Sequence, residues 1–198
     1  MKTCPSKNVF NNNDYNSSDG MLTSVWGPSL WHSLHAISFN YPVNPTKEQK
    51  LQYLEFFKSL KHVLPCKYCR ENYKKNIKTV PLNMSTMKSR ETLSRWLYEL
   101  HEEINTMLHK KSNLTFDQVR TRYEMFRARC INDNKGTMKR NRKKTPKKRK
   151  SKFKNKKEKG CVKPLYGVKS KCVINIVPRN TKCKSFNVDK RCVLKRSK

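Results

Sequence analysis

Two cysteines three residues apart, in the stretch LPCKYCRENY at residues 64–73, are the clearest chemical signal in the chain. Cys66 and Cys69 follow a proline, which suits the first position of a helix. At a helix start this spacing places both thiols on one face, within reach of a disulfide. The positive helix end, Lys67 and Arg70 would all favour a thiolate, the reactive form of cysteine. The pair is therefore a candidate redox centre.

Other interpretations of this pair stay open. A structural zinc site needs a second Cys or His pair at matching spacing, and the cysteines near the C-terminus are too far apart to supply one. Two inert buried thiols fit poorly, because Cys66 would open a helix, where side chains are partly exposed. A thioredoxin-like centre would need a βαβ context, which this sequence does not show.

Aromatic and imidazole side chains recur at helical spacing on both sides of the cysteine pair. Trp31 and His35 are four residues apart, and Trp96, His101, Asn105 and Leu108 follow one stripe of a later segment. Each residue alone is most simply a core or surface group. Together they form polar, aromatic faces that are costly to bury without partners, and a planar cofactor with polar edges would satisfy them.

These residues lie on segments with helical periodicity, which predict an antiparallel all-α bundle. The first predicted helix starts near Pro28 and stops at Pro42. The second runs from an N-cap at Thr46 to Val63, and the third begins at Pro65 or Cys66. The fourth predicted helix spans 89–110 and a short fifth spans 116–130, with no alternating strand before residue 130.

Composition divides the chain of 198 residues into unequal parts. Residues 131–198 carry 26 basic and 3 acidic side chains, against 20 and 11 in residues 1–130, and the total net charge is +32. We expect a disordered N-terminus over 1–20, a globular domain over 21–130, a disordered basic linker over 131–160 and a small cysteine-containing module over 161–198. In that module, short β-branched pieces such as CVINIV at 172–177 are candidate strands.

The order of the motifs resembles the ERV/ALR family of FAD-dependent sulfhydryl oxidases, most closely its members from large DNA viruses. The resemblance covers about residues 24–130. It rests on a glycine, Trp-x-x-x-His and Tyr-Pro element, on PCKYC at 65–69, and on a Trp, His, Asn, Leu and Lys element. These positions are Gly27, Trp31, His35, Trp96, His101, Asn105, Leu108 and Lys110.

The resemblance implies a four-helix bundle with a short fifth helix that holds FAD among its helices. Cys69 would be the flavin-proximal thiol and Cys66 the interchange thiol that meets the substrate disulfide. The resemblance further implies a homodimer that oxidises protein thiols and reduces oxygen to hydrogen peroxide. The implied FAD-binding residues are Gly27, Trp31, His35, His101, Asn105, Leu108, Lys110, Arg122 and Tyr123.

One structural element of many family members is absent. Where they carry a cysteine two residues after the tryptophan and another ahead of the last helix, this chain has Tyr98 and Gln118. Both ends of that bridge are lost together, so no thiol is stranded.

The remaining cysteines and the basic run leave alternatives. Cys4, Cys130 and the tail set Cys161, Cys172, Cys183 and Cys192 are candidates for a shuttle pair, although the tail set is favoured slightly as a structural staple. The basic run at residues 135–159 is a solubilising linker, a nuclear-localisation signal or a phosphate-binding segment.

Three functions compete on the sequence alone. A FAD-linked thiol oxidase, in the cytoplasm of a virus-infected cell or in the virion and not secreted, is the first. A nucleic-acid-binding basic protein with a structural CxxC is the alternative, and a flavin-free exchange protein is the third.

Overall fold

The computed structural model describes residues 11–131, 160–178, 180–182 and 188–192. The described residues fall into two compact units, divided between Arg120 and Thr121. The division falls inside the last helix, ahead of the predicted boundary at residue 130. Cys4, Cys183 and nearly all of the basic linker lie outside the described residues.

The first unit is a helical bundle, as predicted. A helix of five residues and a 3-10 turn at Thr86–Lys88 accompany its main helices. None of the helices in the described ranges is long and apolar enough to cross a membrane. The bounds are α1 Asn12–Asn16, α2 Thr23–Phe39, α3 Lys47–Val63, α4 Lys67–Thr79, α5 Arg90–Met107 and α6 Phe116–Glu124.

Two of the helix starts are fixed by side-chain caps, of which the one at Thr46 is predicted from the sequence. The Thr46 hydroxyl accepts the backbone N–H of Gln49, and the Thr46 backbone N–H donates to Gln49 Oε1 in return, which completes a capping box. Ser89 and Thr92 form the equivalent pair at the start of α5. A cap of this kind contributes about 1 kcal/mol to helix stability.

The core lies where α2 packs on α5, and where α4 packs on both α3 and α5. Tyr73 and Tyr41 are buried and direct their hydroxyls to the carbonyls of Phe57 and Met87, at 2.9 Å each. These bonds satisfy polar groups that would be costly to bury alone. The fully buried apolar side chains are Tyr41, Phe57, Met87, Leu93, Leu97 and Leu100.

The first helix and the N-terminal segment differ from the prediction. Helix α2 starts at Thr23, so Pro28 lies within it instead of in its first turn. The extra turn is held from outside, because the backbone of Met21 donates to the carbonyl of Pro65 at 2.7 Å. Residues 12–16, in the segment expected to be disordered, form α1. The local sequence pattern shows neither the hydrogen bond between Met21 and Pro65 nor the helix α1.

The second unit contains a two-stranded sheet that the sequence predicts only in part. The fifth helix was predicted to continue to residue 130, but it ends at Glu124, and Ala128–Ile131 forms strand β1. This strand pairs antiparallel with β2, Gly160–Pro164. Residues 172–177, predicted as a strand, form neither helix nor strand. Pairing with a distant segment overrides the local helical pattern.

Candidate redox and cofactor site

The cysteine pair lies at the start of α4, as its spacing predicts. Cys66 is the N-cap residue, and its Sγ accepts the backbone N–H of Cys69 at 3.3 Å. Both residues are free, partly exposed thiols. The two sulfurs therefore share one helix end, where backbone N–H groups stabilise negative charge.

The two thiols differ in acidity. Burial opposes ionisation of Cys66, but hydrogen bonds from Cys69 and Thr23 hold its pKa below the ordinary value. Burial, together with the hydrogen bond and charge of Cys66, raises the pKa of the Cys69 thiol. The first thiolate of the reduced pair consequently forms on Cys66. A low pKa makes this sulfur both a ready nucleophile and a good leaving group.

Arg70 does not act as the sequence suggested. Its Nη1 donates to the carbonyl of Leu64 at 2.6 Å, so the guanidinium closes the end of α3. The backbone N–H of Cys66 donates to the same carbonyl at 2.8 Å. Arg70 therefore fixes the turn that delivers the cysteines to the helix start, and hydrogen bonds carry the thiolate stabilisation.

The chain at the start of α2 lies against the cysteine pair. The sequence did not predict this contact. Gly20 forms an antiparallel backbone bridge with Cys66. Thr23 places its Oγ1 3.8 Å from the Sγ of Cys69. A glycine ahead of a helix and a threonine at its first position carry no pattern that points to a thiol 46 residues away along the chain.

The predicted aromatic and imidazole residues come together between α2 and α5. The Trp31 ring stacks on the His101 ring with centroids 3.8 Å apart and planes 5° from parallel. His35 Nε2 and His101 Nδ1 are 3.1 Å apart and share a hydrogen bond. Trp31 and His101 are partly exposed, whereas His35 is buried. These three residues, here called the aromatic–imidazole face, form a flat, polar-edged surface.

Both histidines of this face are neutral at neutral pH. Burial, aided by the charge of His101, lowers the pKa of His35 to about 3. Burial also lowers the pKa of His101 to about 4, although Glu102 acts in the opposite direction. A neutral imidazole offers one donor and one acceptor. The face can therefore stack on a flat ring and hydrogen-bond to its edge without carrying a charge.

The end of α5 carries the next predicted residues. Asn105 Nδ2 donates to Glu102 Oε1 at 3.0 Å, and the Asn105 carbonyl accepts the backbone N–H of Lys110 at 2.8 Å. Leu108 and Lys110 are exposed. A lysine at this end of the face is suited to an anionic group such as a phosphate.

Gly27 supports the idea that an external group approaches α2. The residue is buried, yet a Cβ built there would meet one described atom outside the helix backbone, the Thr23 Cγ2 at an ordinary 3.6 Å. Glycine within a helix costs about 0.5–1 kcal/mol relative to alanine. Packing of the described chain does not require that cost, whereas close approach of a bound ring would. The residues of this region therefore fit a flat, anionic cofactor.

Three further residues of the predicted motifs have different surroundings. Trp96 is in the core, where its Nε1 donates to the Val80 carbonyl at 3.1 Å and its ring packs edge-on against Phe57. Its role here is packing. Arg122 and Tyr123 belong to the second unit and are partly buried, with the pKa of Tyr123 raised to about 12 by burial.

Tyr98 and Gln118, which stand where the resemblance implies a bridge in many family members, both make hydrogen bonds. The Tyr98 hydroxyl donates to the Leu114 carbonyl at 2.8 Å, and its ring packs edge-on against Phe116. Gln118 accepts the backbone N–H of Thr115 at 2.8 Å, which caps α6. A hydrogen bond and an aromatic contact thus tie α5 to the start of the last helix.

Known proteins resemble the chain over this same bundle. Residues 28–124 match the Erv1 / Alr family. A probable FAD-linked sulfhydryl oxidase of Acanthamoeba polyphaga mimivirus is 42% identical over 99 residues, which cover 50% of this chain and 68% of that protein. The mitochondrial FAD-linked sulfhydryl oxidase ERV1 of Saccharomyces cerevisiae is 36% identical over 84 residues, or 42% of this chain and 43% of the yeast protein.

Solved structures include similar chains. The FAD-binding domain of Erv1 from Saccharomyces cerevisiae is 30% identical, with a TM-score of 0.48, over 52% of this chain and 95% of the domain. The chain spans less than half of the yeast protein but two thirds of the mimivirus protein. With the identity and coverage of the mimivirus relative, and with the cysteine pair and the aromatic–imidazole face in place, the chain belongs to the Erv1/Alr family.

Proposed function

We infer that this chain is a FAD-dependent thiol oxidase that forms disulfide bonds in protein substrates. The observation that carries the inference is the cysteine pair at the start of α4, with the low-pKa Cys66 capping the helix. The family membership and the names of the relatives support the same activity. A structural role alone would not need a sulfur with a lowered pKa.

The residues of the pair take different parts in the exchange. In the oxidised enzyme a substrate thiolate attacks the Cys66 sulfur, the Cys66–Cys69 bond breaks, and Cys69 leaves with the electron pair as a thiolate. The second substrate thiolate then attacks the substrate sulfur of the mixed disulfide and releases Cys66. The substrate loses two electrons and gains a disulfide, and the enzyme holds the two electrons as a dithiol.

The aromatic–imidazole face and its neighbours would hold the cofactor. Trp31 and His101 offer a stacking surface, His35 orients His101, and Gly27 allows close approach. Lys110 offers positive charge for a phosphate. Bound FAD supplies a two-electron acceptor that oxygen reoxidises with formation of hydrogen peroxide. Asn105 and Leu108 belong to the same proposed set. Arg122 and Tyr123, in the second unit, remain FAD-binding residues implied by the family resemblance alone.

The wider assignments rest on similarity and composition. A viral source is supported by relatives from mimivirus, invertebrate iridescent virus 6 and African swine fever virus. The homodimer and the setting, in the cytoplasm of an infected cell or in the virion, are proposed from the family resemblance. Division into a catalytic segment over 21–130, a basic linker and a tail module is supported by the uneven charge. That charge also supports nucleic acid or an acidic protein as a partner of residues 131–160.

The tail contributes one further redox observation. Cys161, in β2, is disulfide-bonded, whereas Cys172 and Cys192 are free thiols. The register of the sheet places β2 beside the strand that contains Cys130. We therefore propose a structural disulfide at Cys161 alone. Cys172 and Cys192 do not take part in the predicted staple, and each remains a candidate shuttle thiol.

Oxygen consumption with dithiothreitol tests the proposed activity. The full chain, expressed with FAD available, should be yellow and should consume oxygen. Cys66→Ser and Cys69→Ser should each abolish turnover yet keep the flavin, because neither sulfur belongs to the aromatic–imidazole face. Cys172→Ser is a matched control that should retain turnover with this small dithiol. A colourless chain that consumes no oxygen would refute the assignment.

A further inference from the structure

The segment ahead of α2, residues 20–23, is here called the strap. It is fastened to the cysteine pair by backbone contacts. Gly20 forms a bridge with Cys66, and the Met21 N–H donates to the Pro65 carbonyl at 2.7 Å. The contact requires glycine, because a Cβ at position 20 would lie 2.5 Å from the Pro65 oxygen and the residue has a φ of +108°. The strap therefore has a defined position over the start of α4.

This attachment brings one side-chain hydroxyl to the inner sulfur. Thr23 ends the strap and begins α2, and its Oγ1 lies 3.8 Å from the Cys69 Sγ. Threonine has few rotamers because its Cβ is branched, so its hydroxyl is placed at small entropic cost. The backbone N–H of Cys69 is already donated to Cys66. In the reduced pair Thr23 also hydrogen-bonds to Cys66. When Cys66 is held in a mixed disulfide it carries no charge, and the Thr23 hydroxyl, which comes from outside α4, then faces the Cys69 thiolate.

We propose that Thr23 is a positioning residue for Cys69. The Thr23 hydroxyl donates a hydrogen bond to the Cys69 sulfur whenever that sulfur is a thiolate. Cys69 becomes a thiolate each time a substrate thiolate attacks Cys66 and the Cys66–Cys69 bond breaks. The proton of the Thr23 hydroxyl stays on its oxygen throughout, and the bond to sulfur only lowers the energy of the leaving anion. The consequence for turnover rests on the proposed oxidase function, but the effect on the thiol does not.

The electrostatics of the pair explain why this sulfur needs a donor. Burial and the neighbouring Cys66 raise the pKa of the Cys69 thiol, and the hydrogen bond from Thr23 lowers it. A leaving thiol with a high pKa leaves slowly, so any lowering of that pKa by Thr23 speeds opening of the disulfide. The strap therefore links a segment outside the helical bundle to the acidity of the redox centre.

The test measures the pKa of Cys69 directly. Full-length chains with Cys66→Ser, reduced and free of flavin, are alkylated with iodoacetamide across a range of pH. The extent at Cys69 is then read by peptide mass spectrometry. The midpoint of the profile is compared for Thr23, Thr23→Val and Thr23→Ser. The midpoint is preferred to a single rate because nucleophilicity rises with thiol pKa and offsets part of the loss of thiolate.

Removal of the hydroxyl should raise the midpoint, and the serine variant should keep it. Thr23→Val should raise the pKa of Cys69 by about 0.5–1 unit, which lowers the thiolate fraction about 3- to 10-fold at a pH below the midpoint. Thr79→Val, at the exposed far end of α4, is the matched control and should change nothing. Gly20→Ala should reproduce the shift, because it displaces the strap.

Three outcomes would overturn the proposal. They are an unchanged midpoint in Thr23→Val, an equal shift in Thr23→Ser, or an unchanged midpoint in Gly20→Ala. Failure of the oxidase assignment gives a different result, since a wild-type chain that consumes no oxygen can still show the Thr23-dependent midpoint. In the wild-type background, Thr23→Val should also make the Cys66–Cys69 disulfide slower to open with dithiothreitol, measured without flavin.

Discussion

Mild acid should destabilise the bundle through the two histidines of the aromatic–imidazole face. The pKa of His101 is about 4 in the folded chain and that of His35 is about 3, against 6.5 for an unperturbed histidine. Between these values the unfolded chain binds protons that the folded chain excludes. Stability must therefore fall as pH drops below about 6.5, and it should level off above about pH 7.

The magnitude follows from the shift. Each histidine that stays neutral in the folded chain makes the free energy of unfolding change by about 1.4 kcal/mol per pH unit between its folded and unfolded pKa values. For His101 the loss between about pH 7 and pH 5 integrates to about 2 kcal/mol. His35 would contribute a similar amount, so the pair would remove about 4 kcal/mol. A small domain has about 5–15 kcal/mol in total.

Urea denaturation of the flavin-free chain at several pH values between about 7.5 and 5 measures this loss. The comparison variant is His101→Phe, which keeps a flat ring against Trp31 and removes one titrating group. Its slope should be shallower than wild type by about 1.4 kcal/mol per pH unit, even if its stability at neutral pH is lower. His62→Gln, in the exposed last turn of α3, is the control.

Parallel plots of the free energy of unfolding against pH for wild type and His101→Phe would refute the role of His101. If wild type and His101→Phe lose the same free energy between about pH 7 and pH 5, then protons are not excluded from His101 by folding. A wild-type profile that rises as the pH falls would contradict the direction of both pKa shifts. The range stays above about pH 5 so that carboxylates contribute little to the difference between the variants.

Three further predictions concern single residues. Gly27→Ala should stabilise the flavin-free chain by about 0.5–1 kcal/mol in urea denaturation and should weaken FAD retention on gel filtration. A variant with a lower free energy of unfolding as well as weaker FAD retention would contradict the close approach of a bound ring to α2. Lys110→Met should weaken FAD binding and make it less sensitive to salt, measured by fluorescence titration in low and high salt; equal salt dependence would exclude an ionic contact. Tyr98→Phe should lower the free energy of unfolding by about 1 kcal/mol through loss of the bond to Leu114, and an unchanged midpoint would show that the ring contact alone suffices.

Local rules predicted the helices and the cysteine pair because both depend on neighbours in sequence. Thr46 and Ser89 are caps that hydrogen-bond three residues ahead, so their effect is visible in the sequence. Cys66 follows the same logic at the start of α4. The bundle was therefore predictable as a class, although the early start of α2 was not, since it depends on Pro65.

The parts of the site that escaped prediction are those set by distant contacts. Thr23 reaches Cys69 only because Gly20 bridges to Cys66, and no periodicity links these positions. Arg70 was expected to favour the thiolate but contacts Leu64 instead, since the end of α3 needs a donor. The strand at Ala128–Ile131 likewise depends on Gly160–Pro164, a segment that begins at the last residue of the basic linker.

The tie between Tyr98 and Leu114 has a consequence for a protein that handles disulfides. A cystine at that place would be one more bond that a reducing environment, or a stray thiol, could open. A phenol hydroxyl and a carbonyl are indifferent to electron supply, so the last helix keeps its anchor whether the surroundings are oxidising or reducing. The bundle can thus assemble before any oxidant reaches it, and this anchor does not depend on the chemistry that the protein performs.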